Sequence, residues 1–304
     1  MKVLEDSVKG PFDLSIVGLG YEQRASKRFN QERETLGEVL VLGYLKHNKT
    51  PQYQENKANY LSHDTTVFEG DDHDVKARLI QWLTDNSSSN SEAMKVLIDI
   101  TVFSRSRLSA LLYILIKTLP KGSILTISYE ISQFVEPTTG LSPIKTVGDV
   151  IPELSGSIGD LTKPTSLILG LGYEDGKALG LANYIDSEFN FAFLPTGIDQ
   201  RFDELVLKNN QALLNEIPSS RIINYRLDQP YNTYLDMRDL TNAVSSYTAP
   251  LIAPLGPKML TAISVLVAIE FDELIPVWRV SSEFEEQPVD RKASGHCISL
   301  SVAI

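Results

Sequence analysis

One five-residue phrase occurs twice, and it constrains the fold more than any other feature of the chain. Gly18-Leu19-Gly20-Tyr21-Glu22 follows the apolar run Ser15-Ile16-Val17, and Gly170-Leu171-Gly172-Tyr173-Glu174 follows Leu167-Ile168-Leu169. The copies stand 152 residues apart, and the same offset brings their surroundings into register. Val39 to Leu42 falls on Phe191 to Leu194, the helical positions Leu108, Leu111 and Leu115 fall on Leu260, Ile263 and Val267, and Ile124 to Ile127 falls on Pro276 to Arg279. A whole neighbourhood repeated at one period marks a duplicated structural unit.

Within each copy, short apolar runs alternate with helix-compatible stretches. In the first, Leu14 to Val17, Val39 to Leu42, Thr65 to Phe68, Val96 to Ile100 and Gly122 to Ser128 read as strands. In the second they are Thr165 onward, Phe191 to Leu194, Ile222 to Tyr225, Pro250 to Ala253 and Leu274 to Val280. Strands separated by helices imply a mainly parallel sheet with right-handed crossovers. The predicted fold is α/β: two tandem Rossmann-like units with mainly parallel sheets, related by a pseudo-twofold. Residues 1–130 form the first unit and 165–304 the second, with Cys297 to Ile304 as its edge strand. The Pro-, Gly-, Ser- and Thr-rich stretch 131–164 is a linker or hairpin insertion. The chain of 304 residues, 42% hydrophobic, suffices for two cores of ordinary domain size.

The net charge of −11 opposes long-range attraction of extended nucleic acid. A lone Cys297 excludes an intrachain disulfide and a cysteine-rich zinc site, and is expected to be a semi-buried structural thiol. The first ten residues lack an apolar signal core, and no apolar stretch approaches a bilayer's span, so the sequence predicts a soluble, cytoplasmic protein. Asp71-Asp72-His73-Asp74 is acidic enough to suggest a metal, but acids at the start of the helix that follows explain it better, and no metal site is predicted.

The Gly-Leu-Gly turn suits a backbone that approaches an anion, or simply a tight strand-to-helix turn. The dinucleotide fingerprint would continue with a third glycine, where Gln23 and Asp175 stand, and with an acid after the second strand, where the chain has Gly43-Tyr44-Leu45 and Pro195-Thr196-Gly197. NAD and S-adenosylmethionine are therefore not expected, and no cofactor is predicted. The loops after the fourth strands carry the working charges. Ser104-Arg105-Ser106-Arg107 and Gly256-Pro257-Lys258 put cations at helix starts, where they oppose the helix dipole. They imply an anionic ligand, Arg offering a fork and Lys a point charge, or else partners in Glu22, Glu174 or Asp99. Glu22 and Glu174 read as general bases, ribose contacts or caps of their own helices. The predicted ligand residues are Gly18, Gly20, Tyr21, Glu22, Ser104 to Arg107, Gly170, Gly172, Tyr173, Glu174, Gly256 and Lys258; catalytic residues are not assigned.

The Gly256-Pro257-Lys258-Met259 stretch after a strand resembles the Gly-Gly-Thr-Lys-x-Met loop of the CRISPR-associated Rossmann-fold (CARF) sensors, and Asp99-Ile100-Thr101 resembles the run before that loop. The first copy departs from the pattern, with Ser104-Arg105-Ser106 in place of Gly-x-Lys. The resemblance implies two units holding a cyclic oligonucleotide between them, as in CARF and the related SAVED sensors of antiphage signalling. It implies a sensor or regulator that binds a nucleotide-like ligand. With no nuclease or protease domain evident, any output would need a separate effector protein or a reaction in the cleft. A nucleotide-processing enzyme (a phosphodiesterase, glycosidase or transferase) and an interaction scaffold are the other readings. Oligomeric state is not legible.

Overall fold

The computed structural model describes residues 1–63, 65–87, 92–136, 144, 146–157, 162–281 and 289–304. In chain order the strands are β1 (Lys2–Leu4), β2 (Leu14–Leu19), β3 (Glu38–Gly43), β4 (Thr66–Glu69), β5 (Lys95–Asp99), β6 (Ile124–Ser132), β7 (Thr146–Asp149), β8 (Thr165–Gly170), β9 (Phe189–Thr196), β10 (Ile222–Arg226), β11 (Ala249–Pro254), β12 (Trp278–Ser281) and β13 (Ala293–Ala303). The helices are α1 (Lys27–Glu32), α2 (Pro51–Leu61), α3 (Asp72–Ser87), α4 (Arg105–Thr118), α5 (Lys177–Ile185), α6 (Gln200–Asn209), α7 (Gln211–Glu216), α8 (Pro230–Ser245) and α9 (Lys258–Glu270). None of the described helices is long and apolar enough to cross a membrane.

The chain divides into two compact units, Met1–Gln133 with Glu286–Ile304, and Phe134–Glu285. Among the described residues, the first unit's sheet runs β1-β13-β6-β5-β2-β3-β4. Its strands β6, β5, β2, β3 and β4 are parallel and stand in the order 3-2-1-4-5 from the β4 edge, counted from β2 along the chain. The second unit's parallel sheet runs β10-β9-β8-β11, which is 3-2-1-4 counted from β8. Both are Rossmann-like α/β sheets, and in each the strand order reverses beside strand 1, where strand 4 pairs on its other side. The cores follow from burial: β2 is buried at every position, and α9 is buried from Met259 to Ile269.

Two boundaries differ from the sequence reading. The C-terminal strand β13 belongs to the first unit: it runs antiparallel to β6 from Ala293 opposite Ser132 to Ala303 opposite Ile124, and takes β1 on its other edge. Its buried apolar residues Ile298, Leu300 and Val302 alternate along the strand, with Ser301 buried between the last two, but this pattern does not say which sheet is joined. The stretch 131–164 contains β7, which pairs antiparallel with β12 in the second unit; residues 137–143, 145 and 158–161 of it lie outside the described residues.

The fifth strand is also handled differently in the two copies. β6 pairs fully with β5, whereas the matching Pro276-Val277 segment makes a single bridge from Val277 to Ile252 and then turns away as β12. Pro276 has no N–H to donate, and the Val277 amide goes to the Leu154 carbonyl at 3.0 Å.

Leu300→Ala is expected to cost about 2–5 kcal/mol, since Leu300 is 1% exposed. Hydrogen exchange should then quicken in β2, β5 and β6 while β8, β9 and β11 keep their protection. Faster exchange in β8 instead would reject the assignment of β13 to the first unit.

Candidate functional site

Each Gly-Leu-Gly turn is shaped by space. A Cβ on Gly18 would stand 2.5 Å from Val102 Cγ2, and one on Gly20 3.0 Å from Val102 Cβ. In the second copy, a Cβ on Gly170 would meet Leu260 Cδ2 at 2.1 Å, one on Gly172 the Leu255 carbonyl oxygen at 2.6 Å, and one on Gly256 the Leu171 oxygen at 2.5 Å. None of the five has a positive φ. They are glycines because the loop after strand 4 lies directly on the turn after strand 1. In both units the two loops of the strand-order reversal therefore touch.

A buried asparagine locks each turn. Asn56 of α2, 3% exposed, donates Nδ2 to the Gly20 carbonyl at 2.8 Å and to the Glu22 carbonyl at 2.9 Å. Asn210, between α6 and α7 and also 3% exposed, donates Nδ2 to the Gly172 carbonyl at 2.8 Å. Asn209 adds a bond to the Tyr173 carbonyl at 2.5 Å. Tyr21 and Tyr173 are half-buried and pack against their units' cores; the Tyr21 ring meets His47 edge-on at 5.7 Å, and Tyr173 lies 5.9 Å from Phe202.

Neither motif glutamate caps its helix. Glu22 Oε2 accepts from Arg24 Nε at 2.6 Å, and Glu174 Oε1 takes Lys177 Nζ at 2.8 Å. Both bases are buried, Arg24 at 1% and Lys177 at 6% exposure. Burial works against the charge on Arg24, but Tyr129 and Glu22 hold its proton above the ordinary arginine range.

The strand-4 loops divide the predicted cations. Arg107, 1% exposed, uses its fork on the protein itself: Nε donates to Asp72 at 2.8 Å, Nη1 to the Gly43 carbonyl at 2.8 Å and Nη2 to the Gly70 carbonyl at 2.9 Å. Its guanidinium stacks 3.6 Å from the Tyr44 ring, so it clamps the ends of β3 and β4. Ser104 is the N-cap of α4, its Oγ accepting from Arg107 N at 3.1 Å, while its own N–H donates to Tyr44 Oη at 2.7 Å. Arg105 and Ser106 are half-buried in the first turn of α4, and Lys258 is half-buried at the start of α9. Of the acids that the sequence offered as partners, Glu22 takes Arg24, Glu174 takes Lys177 and Asp99 accepts from Thr101.

A second group escaped the sequence reading. Arg24, Lys27 and Arg28 lie over β5, β6 and β13. Lys27 Nζ meets Glu130 Oε1 at 2.8 Å, and Arg28 donates to Ser128 Oγ and to Cys297 Sγ, the latter at 3.6 Å. Asp99 Oδ1 accepts the Thr101 amide at 2.9 Å and the Thr101 hydroxyl, which itself accepts the Glu130 amide at 2.9 Å. Burial raises the Asp99 carboxyl above the ordinary range, against the pull of Thr101, Arg28 and Arg24; desolvation of the sulfur likewise pushes the Cys297 thiol up, although the residue is exposed and not the semi-buried thiol expected from the sequence. The signal was the spacing of the three bases, three and four residues apart, which puts them on one helical face. Away from both groups, a cleft of about 370 Å³ opens between the end of β10 and α8, lined by Asn224, Arg226, Gln229, Asn232 and Asp236 among others. Burial and Asp239 raise the Asp236 carboxyl. Asp71 and Asp74 exchange side-chain-to-amide hydrogen bonds of 2.9 and 3.3 Å, a reciprocal cap of α3 that accounts for the acidic cluster.

The class that fold and site define is a two-unit, Rossmann-like α/β protein with buried bases beside the turn after strand 1. No protein-family model matches the chain, and no curated protein matches it. Among solved structures, the cytoplasmic domain of a prokaryotic cation chloride cotransporter is 11% identical over 90% of this chain and 97% of its own, with a TM-score of 0.26. Phosphoethanolamine N-methyltransferase 1 of Haemonchus contortus, solved with phosphoethanolamine and S-adenosylhomocysteine, is 8% identical over 97% and 88%, also at 0.26. Likenesses this slight carry no argument.

Asn210→Ala leaves the Gly172 carbonyl without its side-chain donor and is expected to lower stability by about 1–3 kcal/mol in urea denaturation; an unchanged midpoint would remove the asparagine lock. Asp99→Asn tests the buried carboxyl. Because the folded-state value is raised, the parent's Asp99 favours folding below the ordinary value of 3.8 and loses that contribution as pH rises through the folded value. Asparagine does not titrate, so the variant should gain on the parent between pH 4 and pH 8. A stability difference that is flat across that range would show the carboxyl to be unshifted.

Proposed function

We propose that the protein is a sensor or regulator that binds a small nucleotide-like anion at the carboxyl ends of its parallel strands. A cyclic oligonucleotide, in an antiviral-defence setting, is the first ligand to test. The placement of positive charge in an acidic chain carries the reading. The helices that follow strand 1 or strand 4 of either unit have no acid in their first turn. All four begin with a base instead, α1 with Lys27, α4 with Arg105, α5 with Lys177 and α9 with Lys258, and Arg24 stands just before α1. A cation there opposes the helix dipole at a cost of about 0.3–1 kcal/mol. By contrast α3 and α6, which follow other strands, carry Asp72, Asp74 and Asp203, the last beside Arg201, and α2, α7 and α8 have neither an acid nor a base in their first turn. The exceptions gather where a doubly wound sheet takes its ligands. Output through a separate effector protein belongs to the same reading.

A nucleotide-processing enzyme is the second reading. Asp99 favours it, a buried carboxyl held above the ordinary aspartate range at the end of strand 4. Product formation from a nucleotide panel, lost in Asp99→Asn, would move the protein into that class.

In a thermal-shift and affinity screen of nucleotides, dinucleotides and cyclic oligonucleotides, Arg105→Ala and Lys258→Ala are each expected to weaken binding by about 1.5–3 kcal/mol. The unliganded melting temperature should stay near the parent's, since the conflict with the dipole leaves with the charge. Lower melting temperature with intact affinity would reject the site.

A further inference from the structure

We infer that Glu22 is an internal stand-in for a ligand anion, and that a phosphate-type oxyanion displaces it from Arg24. The inference rests on the reading of this sheet edge as an anion site and names the group that guards it. Its basis is a guanidinium fork that is only half filled. Nε and Nη2 share one edge of the planar group, and a two-oxygen acceptor ordinarily takes both. Arg24 Nε donates to Glu22 Oε2 at 2.6 Å and Nη1 to the Glu130 carbonyl at 2.7 Å, but among the described residues Nη2 has no hydrogen-bond acceptor although the side chain is fully buried.

The same chain provides the comparison. Arg201 holds Asp199 through Nε at 2.9 Å and Nη2 at 2.6 Å, and Arg226 holds Asp228 through Nε at 3.0 Å and Nη2 at 2.7 Å. Each of these pairs spans two residues of chain, as Glu22 and Arg24 do, so tether length does not forbid the complete fork. Both complete forks are on exposed arginines, where water could serve any orphan donor; the buried one, where an orphan is expensive, is incomplete. Two oxygens of a phosphate group would fill the Nε–Nη2 edge that one glutamate oxygen leaves half empty.

Access and charge fit the exchange. The Glu22 side chain is 12% exposed while that of Arg24 is 0%, so the carboxylate is the member of the pair that reaches solvent. Lys27, one turn further on and 22% exposed, is itself paired with Glu130 Oε1 at 2.8 Å, so the exchange relies on the Arg24 fork. The ring of Tyr129 lies 5.6 Å from the guanidinium carbon, and its phenol helps to hold the Arg24 proton. The arrangement recurs in the second unit, where Glu174, 41% exposed, covers Lys177, 8% exposed. In both copies the glutamate of the repeated phrase covers a buried base.

The test titrates inorganic pyrophosphate into the full chain by calorimetry. Glu22→Gln keeps the size of the side chain and removes its charge; it should bind pyrophosphate at least tenfold more tightly than the parent. Glu22→Gln with Arg24→Lys, which keeps the charge and loses the fork, should lose that gain. Glu174→Gln, with Lys177→Met as its reversal, repeats the measurement in the second unit should the Arg24 variant fail to fold by circular dichroism. If neither glutamine variant binds more tightly than the parent, while nucleotide affinity still depends on Arg105 and Lys258, the stand-in is wrong and the anion site survives. If neither the parent nor any variant binds pyrophosphate or a nucleotide, both ideas are wrong.

Discussion

The missing Cβ atoms at Gly18, Gly20, Gly170, Gly172 and Gly256 are the constraint on which the rest of each unit depends. They let the loop after strand 4 settle on the turn after strand 1, close enough that any other residue would meet Val102, Leu260 or a neighbouring carbonyl. In the second unit the contact is fixed by a backbone bond from Leu255 N to the Gly170 carbonyl at 2.8 Å. The crevice that a doubly wound sheet leaves between these loops is thereby narrowed in both copies. Whatever chemistry the turn carries must come from the side chains that follow it.

That shift, from backbone to side chains, separates what was legible in the sequence from what was not. The repeated phrase and the alternation of strand and helix could be read directly, because each is a pattern of apolar residues and glycines at fixed spacing, whereas the strand order and its reversal points could not. The role of the glycines could not, since a glycine opened for a phosphate and one opened for Val102 look the same in a sequence. Asn56 was hidden for a related reason. It sits in a polar stretch that reads as exposed, yet Tyr53, Asn56 and Tyr60 form the buried stripe of α2 at three- and four-residue spacing. Only its acceptors, the carbonyls of Gly20 and Glu22, reveal why a carboxamide belongs on a core face.

Long-range partners were the other blind spot. Apolar character marked the tail as a strand but held no information about which sheet had an open edge, and β6 was left with one by the order of the first unit. The second unit has no counterpart of β13 among the described residues, because Pro276 ends the matching strand after a single bridge. Arg107 belongs to the same class of error. Its place at a helix start suggested a ligand, whereas its partners are the carbonyls of Gly43 and Gly70 and the carboxylate of Asp72, all brought near by the fold.

The charges that remain are hard to explain by stability alone. A buried ion pair seldom stabilises more than well-packed apolar side chains of the same volume, because desolvation offsets most of the attraction. Arg24 and Lys177 nevertheless occupy buried positions beside the turn after strand 1 in both units, each covered by the glutamate of the repeated phrase. A structural pair would be expected to saturate its hydrogen bonds, as Arg107 does within the same sheet. Arg24 does not, and the donor left over lies on the edge that an oxyanion would use. Arg107, with its three nitrogens engaged, is a clamp, and the unfilled edge of Arg24 is the observation from which we infer an anion site.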